Sequence, residues 1–265
     1  MRSVLSRYFR AEIKENLPLN KNHNFLTLTN LGLMDEPLPG QFYMAEVNRG
    51  LDPLLKRAFS LFRRIPQGIQ IMYRIHGKGT SLLRTMKEGT VISMLGPLGN
   101  GYPFPEDGQT PIVIAGGIGI ASLFSLIEKL YGRAYIIYGA RSKEELFLLD
   151  ELKNMSKGLF VCTDDGTYGE RGNVINLLCH FFTVHDPRFT NSLIYACGPK
   201  PMLQEVSRVA SEQKIRTYLS LEEHMACGIG ACLGCVVKTK SLSQNFKYQR
   251  VCKEGPVFNA EDIIW

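Results

Sequence analysis

Glu222-Glu-His-Met-Ala-Cys-Gly-Ile-Gly-Ala-Cys-Leu-Gly-Cys235 packs three of the chain's seven cysteines into nine residues, and Cys252 follows after sixteen more. Cys227, Cys232, Cys235 and Cys252 therefore read C-x4-C-x2-C with a distant fourth thiol, the spacing that holds a [2Fe–2S] cluster in plant-type ferredoxins. The small residues between them, Gly228, Gly230, Ala231 and Gly234, let the backbone turn sharply and bring N–H groups close to sulfur. Structural zinc asks for two close cysteine pairs across a spacer, and a disulfide framework asks for a short secreted chain. One tight triplet with a lone partner fits zinc poorly, and His224 stands outside the triplet at no recognised zinc or Rieske spacing.

Working outward, 265 residues suffice for two domains and a small third. Hydrophobic residues make up 45% and charged ones 21%, with no low-complexity tract, as in an ordinary soluble globular protein. The formal charge of +6 is concentrated in residues 56–88, where eight cations face a single acid. That is either a solvated basic face or an attraction for phosphate, from a nucleotide cofactor or a nucleic acid. The aromatic interleaving of a nucleic-acid module is missing, so no nucleic-acid partner is expected. Residues 1–10 are basic without an apolar core, unlike a signal peptide. Residues 111–127 carry no charge, but Gly116, Gly117 and Gly119 interrupt them, which predicts strand, turn and helix rather than a membrane span. Seven cysteines without a secretory signal predict a cytoplasmic protein whose close thiols are ligands.

The first hundred residues alternate short β-type runs (8–13, 24–29, 41–47, 57–62, 69–75 and 90–95) with turn clusters such as Asn30-Leu-Gly, and one helix signal falls at 81–87. A small antiparallel β-barrel is predicted over 1–103. Within it, Arg57-Ala58-Phe59-Ser60 sets a guanidinium and a hydroxyl on one strand, chemistry suited to phosphate and to a heteroaromatic ring edge, though a charged edge strand reads the same way. Arg74-Ile-His-Gly-Lys-Gly79-Thr80 delivers a glycine turn to a helix start, a phosphate site if it is not simply a capped helix.

From 104 to 222 the pattern becomes strand–helix alternation: strands at 111–115, 134–138, 158–162, 192–196 and 217–221, helices at 120–131, 144–154, 173–182 and 201–213. This predicts a parallel sheet covered on both faces, with ligands beyond the strands' carboxyl ends. Three of those ends carry turn chemistry: Ala115-Gly116-Gly117-Ile-Gly119, Cys162-Thr-Asp164-Asp165-Gly and Cys197-Gly198-Pro199. None has the G-x-G-x-x-G fingerprint. Residues 223–265 form the small cluster module.

Arg57-Ala-Phe-Ser60, Ala115-Gly-Gly-Ile-Gly-Ile-Ala121 and Tyr195-Ala-Cys-Gly-Pro-Lys-Pro-Met202, in that order, resemble the ferredoxin–NADP reductase superfamily, an FAD-binding barrel joined to an NAD(P)-binding α/β domain. With the cysteine segment and Val251-Cys-Lys-Glu-Gly-Pro-Val-Phe258 added, the chain is similar over its full length to the electron-transfer subunits of class 1B (NAD-linked) dihydroorotate dehydrogenase. The resemblance implies that Arg57, Ala58, Phe59, Ser60, Met72, Tyr73, Arg74, Gly79 and Thr80 contact FAD. Arg57 and the Gly79-Thr80 helix start would hold its pyrophosphate, and Ser60 would lie near the ring edge. It further places Gly116, Gly117 and Gly119 under the NAD diphosphate and Cys197, Gly198 and Pro199 near the nicotinamide. Superfamily members that prefer NADP tend to have Ser-Arg where this chain has Asp164-Asp165, whose carboxylates would repel a 2′-phosphate, so NAD(H) is the expected substrate. Ala58 and Ser122 stand where relatives often have proline; some superfamily members stack a C-terminal aromatic on the flavin, a role not extended to Trp265 because the cluster segment follows the NAD domain here.

The implied function is a relay between NAD(H), FAD and the [2Fe–2S] cluster, with no side chain assigned a direct catalytic role. The implied partner is an FMN-containing subunit oxidising dihydroorotate to orotate, in a heterotetramer of two copies of each. The alternative is a paralogous NAD(P)H-linked subunit serving sulfide or ferredoxin-type oxidoreductases.

Overall fold

The computed structural model describes residues 7–30, 36–48, 50–185, 191–241, 243 and 245–265. Residues 1–6 and the Leu31-Gly32 part of one predicted turn lie outside them.

Seven strands build the first sheet: β1 (Arg7–Pro18), β2 (His23–Asn30), β3 (Phe42–Ala45), β4 (Arg57–Ser60), β5 (Arg63–Ile65), β6 (Gly68–Arg74) and β7 (Val91–Leu98). Their order is β4-β3-β7-β1-β2-β6-β5, and every pairing is antiparallel. The sheet curls until Phe62 N–H donates to the Gln70 carbonyl at 3.0 Å, linking its two ends. Alternation does the sorting. Ile69, Ile71 and Tyr73 of β6 face the barrel core, whereas Met72 faces the neighbouring domain. The predicted strand at 57–62 stops at Ser60 because the chain changes partners there: the Leu61 N–H still bonds the Gln41 carbonyl at 2.9 Å, whereas the Phe62 N–H bonds the Gln70 carbonyl at 3.0 Å and leads into β5. Helix α1 (Gly77–Thr85) starts four residues before the sequence signal, since His76 N–H bonds to Thr80 Oγ1 at 2.6 Å.

The second sheet is parallel, as predicted, in β8 (Thr110–Gly116), β9 (Tyr135–Ala140), β10 (Gly158–Thr163), a short β11 (Glu170–Arg171), β12 (Ser192–Cys197) and β13 (Arg216–Ser220). Helices α2 (Ile120–Lys129), α3 (Leu149–Met155), α4 (Val174–His185) and α5 (Lys200–Glu212) cover it. Residues 111–127 are indeed strand, turn and helix, and no helix among the described residues is long and apolar enough to cross a membrane. The helix predicted at 144–154 is broken. Tyr138 Oη accepts the Phe147 N–H and donates to the Glu145 carbonyl, both at 3.2 Å, taking the backbone groups a continuous helix would have paired.

Beyond residue 222 come β14 (Val236–Thr239), β15 (Lys247–Arg250), β16 (Val257–Asn259) and β17 (Ile263–Ile264). Strands β15, β14 and β17 make a small antiparallel sheet. β16 instead returns to the large sheet, pairing antiparallel with β13 through Ser220↔Val257 and Tyr218↔Asn259. The large sheet then runs β11-β10-β9-β8-β12-β13-β16.

Barrel and α/β domain meet over an aromatic seam. Phe62 stacks on Phe124 with centroids 4.3 Å apart, and the Arg63 guanidinium lies 4.7 Å from the Phe124 centroid. Arg63 also pairs with Glu128 of α2 and Glu151 of α3, each at 2.7 Å. Several cations of the basic stretch are thus met by acids from elsewhere in the chain, Lys56 by Glu46 and Arg64 by Glu36 among them.

Candidate functional site

β8 and β12 are neighbours whose connections leave in opposite directions, so the crevice at their carboxyl ends is the sheet's switch point. A cavity of 340 Å³ opens there, floored by Gly116, Gly117, Ile118 and Gly119 after β8 and by Gly198 and Pro199 after β12. The two turns approach so closely that side chains are excluded. A Cβ on Gly119 would lie 2.3 Å from the Cys197 carbonyl oxygen, and one on Gly116 would lie 2.5 Å from Met202 Sδ. Gly117 adopts φ +52° and faces open space. A floor of backbone with no Cβ in the way suits a diphosphate.

Of the two aspartates after β10, only Asp164 lines the cavity. Asp165 Oδ1 accepts the Thr167 N–H at 2.9 Å and the Thr167 hydroxyl at 2.6 Å, and the hydroxyl bond above all holds its carboxyl below the usual range. Asp165 therefore serves its own turn. The Cys197 thiol also points away from the cavity, into the core beside Ser122, Ser220 and Tyr102, and burial pushes it up to about 12. Ser122 donates to Ser220 Oγ at 3.2 Å in this buried hydroxyl group.

The cavity also draws three residues to which the sequence assigned no role here, His23 from the barrel wall, Arg141 after β9 and Glu222 after β13, and with them Arg74, expected instead at the flavin. His23 is buried, with its ring 4.9 Å from Phe147 and Nδ1 3.0 Å from Asn20 Oδ1; desolvation lowers its affinity for a proton. Burial likewise raises the Glu222 carboxyl. Applying the strand-end rule to β9 and β13 as well as to the three glycine-bearing ends would have found Arg141 and Glu222. A second cavity of 500 Å³ shares Gly198, Pro199 and Glu222 with the first and is closed by Tyr248 and Trp265.

On the barrel, Arg57 and the start of α1 come together: a Cβ on Gly79 would sit 2.4 Å from Arg57 Nε. The first turn of α1 holds no acid, and Arg57 Nη1 donates to the Leu55 carbonyl at 2.6 Å, which fixes the guanidinium beside that turn; a cation at an acid-free helix start suits an anionic group. Thr80 spends its hydroxyl on the His76 N–H. Phe59 and Tyr73 turn into the barrel core, edge to face at 5.6 Å, and Tyr73 Oη donates to Asn16 Oδ1 at 2.9 Å. Their rings are thus withdrawn from the barrel surface, whereas Ala58 and Ser60 lie on the outer face of β4.

The four thiols converge on the loop after Glu222, two and two. The Cys232 N–H reaches Cys227 Sγ and the Cys252 N–H reaches Cys235 Sγ, both at 3.4 Å. Five backbone N–H groups point at sulfur: Ala231 and Cys232 at Cys227 (3.3 and 3.4 Å), Gly234 at Cys232 (3.4 Å), Cys252 at Cys235 (3.4 Å) and Gly230 at Cys252 (3.2 Å). Burial alone would raise the Cys227 thiol, but hydrogen bonding from Cys232 and the neighbouring backbone outweighs it and the thiol falls to about 6. Two thiol pairs ringed by N–H donors fit a binuclear iron–sulfur centre, in which each iron takes two thiolates. Cys235 and Cys252 are buried; Cys232 is exposed.

A flavin-type barrel, a dinucleotide crevice and a four-thiol loop define an oxidoreductase of ferredoxin reductase-like fold carrying an iron–sulfur module. Residues 113–208 match the oxidoreductase NAD-binding domain, and residues 222–264 match the iron–sulfur cluster binding domain of dihydroorotate dehydrogenase B. The dihydroorotate dehydrogenase B (NAD(+)) electron transfer subunit of Caldanaerobacter subterraneus subsp. tengcongensis is 37% identical over 231 residues, covering 87% of this chain and 88% of that one. Its counterpart from Geobacillus sp. (strain WCH70) is 35% identical over 255 residues, 93% and 95% of the two chains. The chain belongs to the family of dihydroorotate dehydrogenase B electron transfer subunits. Among solved structures, an NADH-dependent reduced ferredoxin-NADP oxidoreductase studied for flavin-based electron bifurcation superposes with a TM-score of 0.83 at 26% identity, over 96% of this chain and 90% of that one. The ferredoxin reductase of carbazole 1,9a-dioxygenase shares the fold at 18% identity, TM-score 0.68, over 81% and 68% of the two chains.

Proposed function

We propose that the chain passes electrons between NAD(H) and the FMN of a dihydroorotate dehydrogenase catalytic subunit in the cytoplasm, in a heterotetramer with two copies of each. The supporting observation is the continuity of the two sites: Glu222 lines the dinucleotide cavity and the first thiol, Cys227, follows five residues later. When bound, the flavin takes an electron pair from NADH as hydride and yields electrons singly, while the cluster carries one.

The chain's own groups bind and orient. Arg57 and the N–H groups of α1 would hold the FAD pyrophosphate, with Met72, Tyr73 and Arg74 of β6 alongside. The glycine floor at 116–119 would take the NAD diphosphate, and Gly198-Pro199 would bound the nicotinamide. Asp164 would accept from a ribose hydroxyl and repel a 2′-phosphate, which favours NAD(H). Cys227 with Cys232, and Cys235 with Cys252, would each hold one iron, leaving the exposed Cys232 side towards the partner. In the biosynthetic direction the partner would oxidise dihydroorotate to orotate and this chain would deliver the electrons to NAD⁺. The resemblance to the NADH-dependent ferredoxin-NADP oxidoreductase supports a second reading, service to a ferredoxin-type oxidoreductase.

Anaerobic NADH titration of the purified chain tests the relay: flavin and cluster absorbance should bleach together. A cluster that stays oxidised while the flavin bleaches would sink it. Co-purification with an FMN-type dihydroorotate dehydrogenase, and dihydroorotate-dependent NAD⁺ reduction by the pair, separate the first reading from the second.

A further inference from the structure

Cys252 sits inside a tight turn closed by N–H groups of Lys253, Glu254 and Gly255 on the Arg250 carbonyl, at 3.1, 2.9 and 3.2 Å. The same turn is braced by side chains. Glu254 Oε2 accepts from both Arg250 N–H (2.7 Å) and Arg250 Nε (2.9 Å), and Glu254 Oε1 accepts from Nη2. A guanidinium gripped this way has a fixed direction. Its remaining nitrogen, Nη1, reaches across to the cysteine loop and donates to the Gly230 carbonyl at 2.8 Å.

That carbonyl belongs to the peptide unit Gly230–Ala231. The unit is planar and trans, so its C=O and N–H point in opposite directions. Holding the carbonyl aims the Ala231 N–H, and that N–H lies 3.3 Å from Cys227 Sγ. The adjoining Gly230 N–H meets Cys252 Sγ at 3.2 Å. Gly230 also packs against the Lys253 stem, with its notional Cβ 2.7 Å from Lys253 Cδ. A cation on the carbonyl also polarises the peptide and strengthens the hydrogen bond its N–H makes. Hydrogen bonds to sulfur and nearby charge are the terms that set an iron–sulfur potential.

We infer that Arg250, locked by Glu254, is a positioning residue that raises the reduction potential of the iron–sulfur centre by aiming the Gly230–Ala231 peptide at Cys227. This rests on the assignment of Cys227 and Cys252 as ligands.

The test is an EPR-monitored redox titration of the intact flavin- and cluster-loaded protein and its Arg250→Gln and Arg250→Lys variants. Arg250→Gln should lower the reduced-to-oxidised ratio of the cluster at a fixed potential about tenfold, a midpoint ~59 mV more negative for one electron. The flavin midpoint and NAD⁺ affinity should not move. Arg250→Lys keeps the charge but cannot make the fork and the carbonyl bond together, so it should shift by a smaller amount in the same direction. A loaded Arg250→Gln protein with the wild-type cluster midpoint overturns the inference. Should that variant fail to take up iron, Arg250→Lys decides alone: a lowered midpoint supports the role and an unchanged one removes it. Failure of the ligand assignment would look different, as a Cys227→Ser variant whose cluster spectrum is that of wild type.

Discussion

Gly119→Ala isolates the close approach of the two cofactor turns from every other property of the loop. Gly119 has φ −55° and ψ −21°, ordinary helical values, so alanine meets no backbone strain there. As the N-cap of α2, the position gives alanine no gain in helix propensity. The new Cβ would lie 2.3 Å from the Cys197 carbonyl oxygen, 2.6 Å from its carbon and 2.9 Å from Gly198 N. These are backbone atoms in and just after β12, which is hydrogen bonded on both sides, so no flexible tip can yield. The turns must part by about 1 Å to restore ordinary contact. Overpacking of this kind costs about 1–3 kcal/mol. At ~2–4 °C per kcal/mol for a domain of this size, the melting temperature should fall measurably. The displaced Gly198-Pro199 turn should weaken NAD⁺ about tenfold, ~1.4 kcal/mol, while flavin and iron content stay at wild-type levels. Calorimetric titration with NAD⁺ and melting curves with and without the dinucleotide read both effects. Gly132→Ala is the comparison: φ is +71° and nothing lies within 4 Å, so it should lose stability by left-handed strain alone and keep its NAD⁺ affinity. A Gly119→Ala protein that melts like wild type and binds NAD⁺ as tightly would refute the argument that the closeness of these turns shapes the site.

Asp164→Ser should raise affinity for NADP⁺ relative to NAD⁺ by tenfold or more in binding titrations, whereas Asp165→Ser should mainly loosen the 165–167 turn and leave the preference alone. In cluster-free protein, iodoacetamide labelling of Cys227, followed by mass spectrometry, should rise with pH through about 6 and then level off. An ordinary thiol would climb through about 8.5 instead. Because folding lowers this pKa, the thiolate stabilises the loop above the unfolded value and that contribution is lost as pH falls through about 6, so cluster-free protein should become more protease-sensitive in the loop towards pH 5. Arg63→Ala removes two carboxylate partners and the stack on Phe124 at once. It should lower the melting temperature, and Glu128→Gln in the same protein should then add less than it does alone.

The large sheet was legible because its strands are continuous apolar runs and its turns carry glycine, and both signals are local. The four cysteines were legible for the same reason. What escaped depended on partners far along the chain. The break before α3 is imposed by the Tyr138 hydroxyl, and nothing in residues 144–154 announces it. Phe59 and Tyr73 belong to a matching stretch, yet strand alternation turns both rings inward. Asp164 and Asp165 are equal in sequence, and only the Thr167 turn separates the residue facing the cavity from the one bracing the loop. Arg250 and Glu254 flank a recognised cysteine, but their work is visible only once Gly230 folds back over them.

The return of the chain through β16 has a consequence for speed. The stretch from Glu222 to Pro256 leaves the large sheet at β13 and rejoins it beside the same strand. On its way it ties itself to the barrel, where Gly228 packs against Met44 and Asn100 N–H donates to the Gly255 carbonyl at 2.6 Å. The thiol loop is thus moored on both bodies that would enclose the flavin. Electron tunnelling falls off steeply with separation, and a loop moored to both sides would hold a bound cluster at a steady distance from a flavin seated between those bodies. Turnover of the pair would then be paced by dinucleotide exchange or by the partner rather than by fluctuations in that gap.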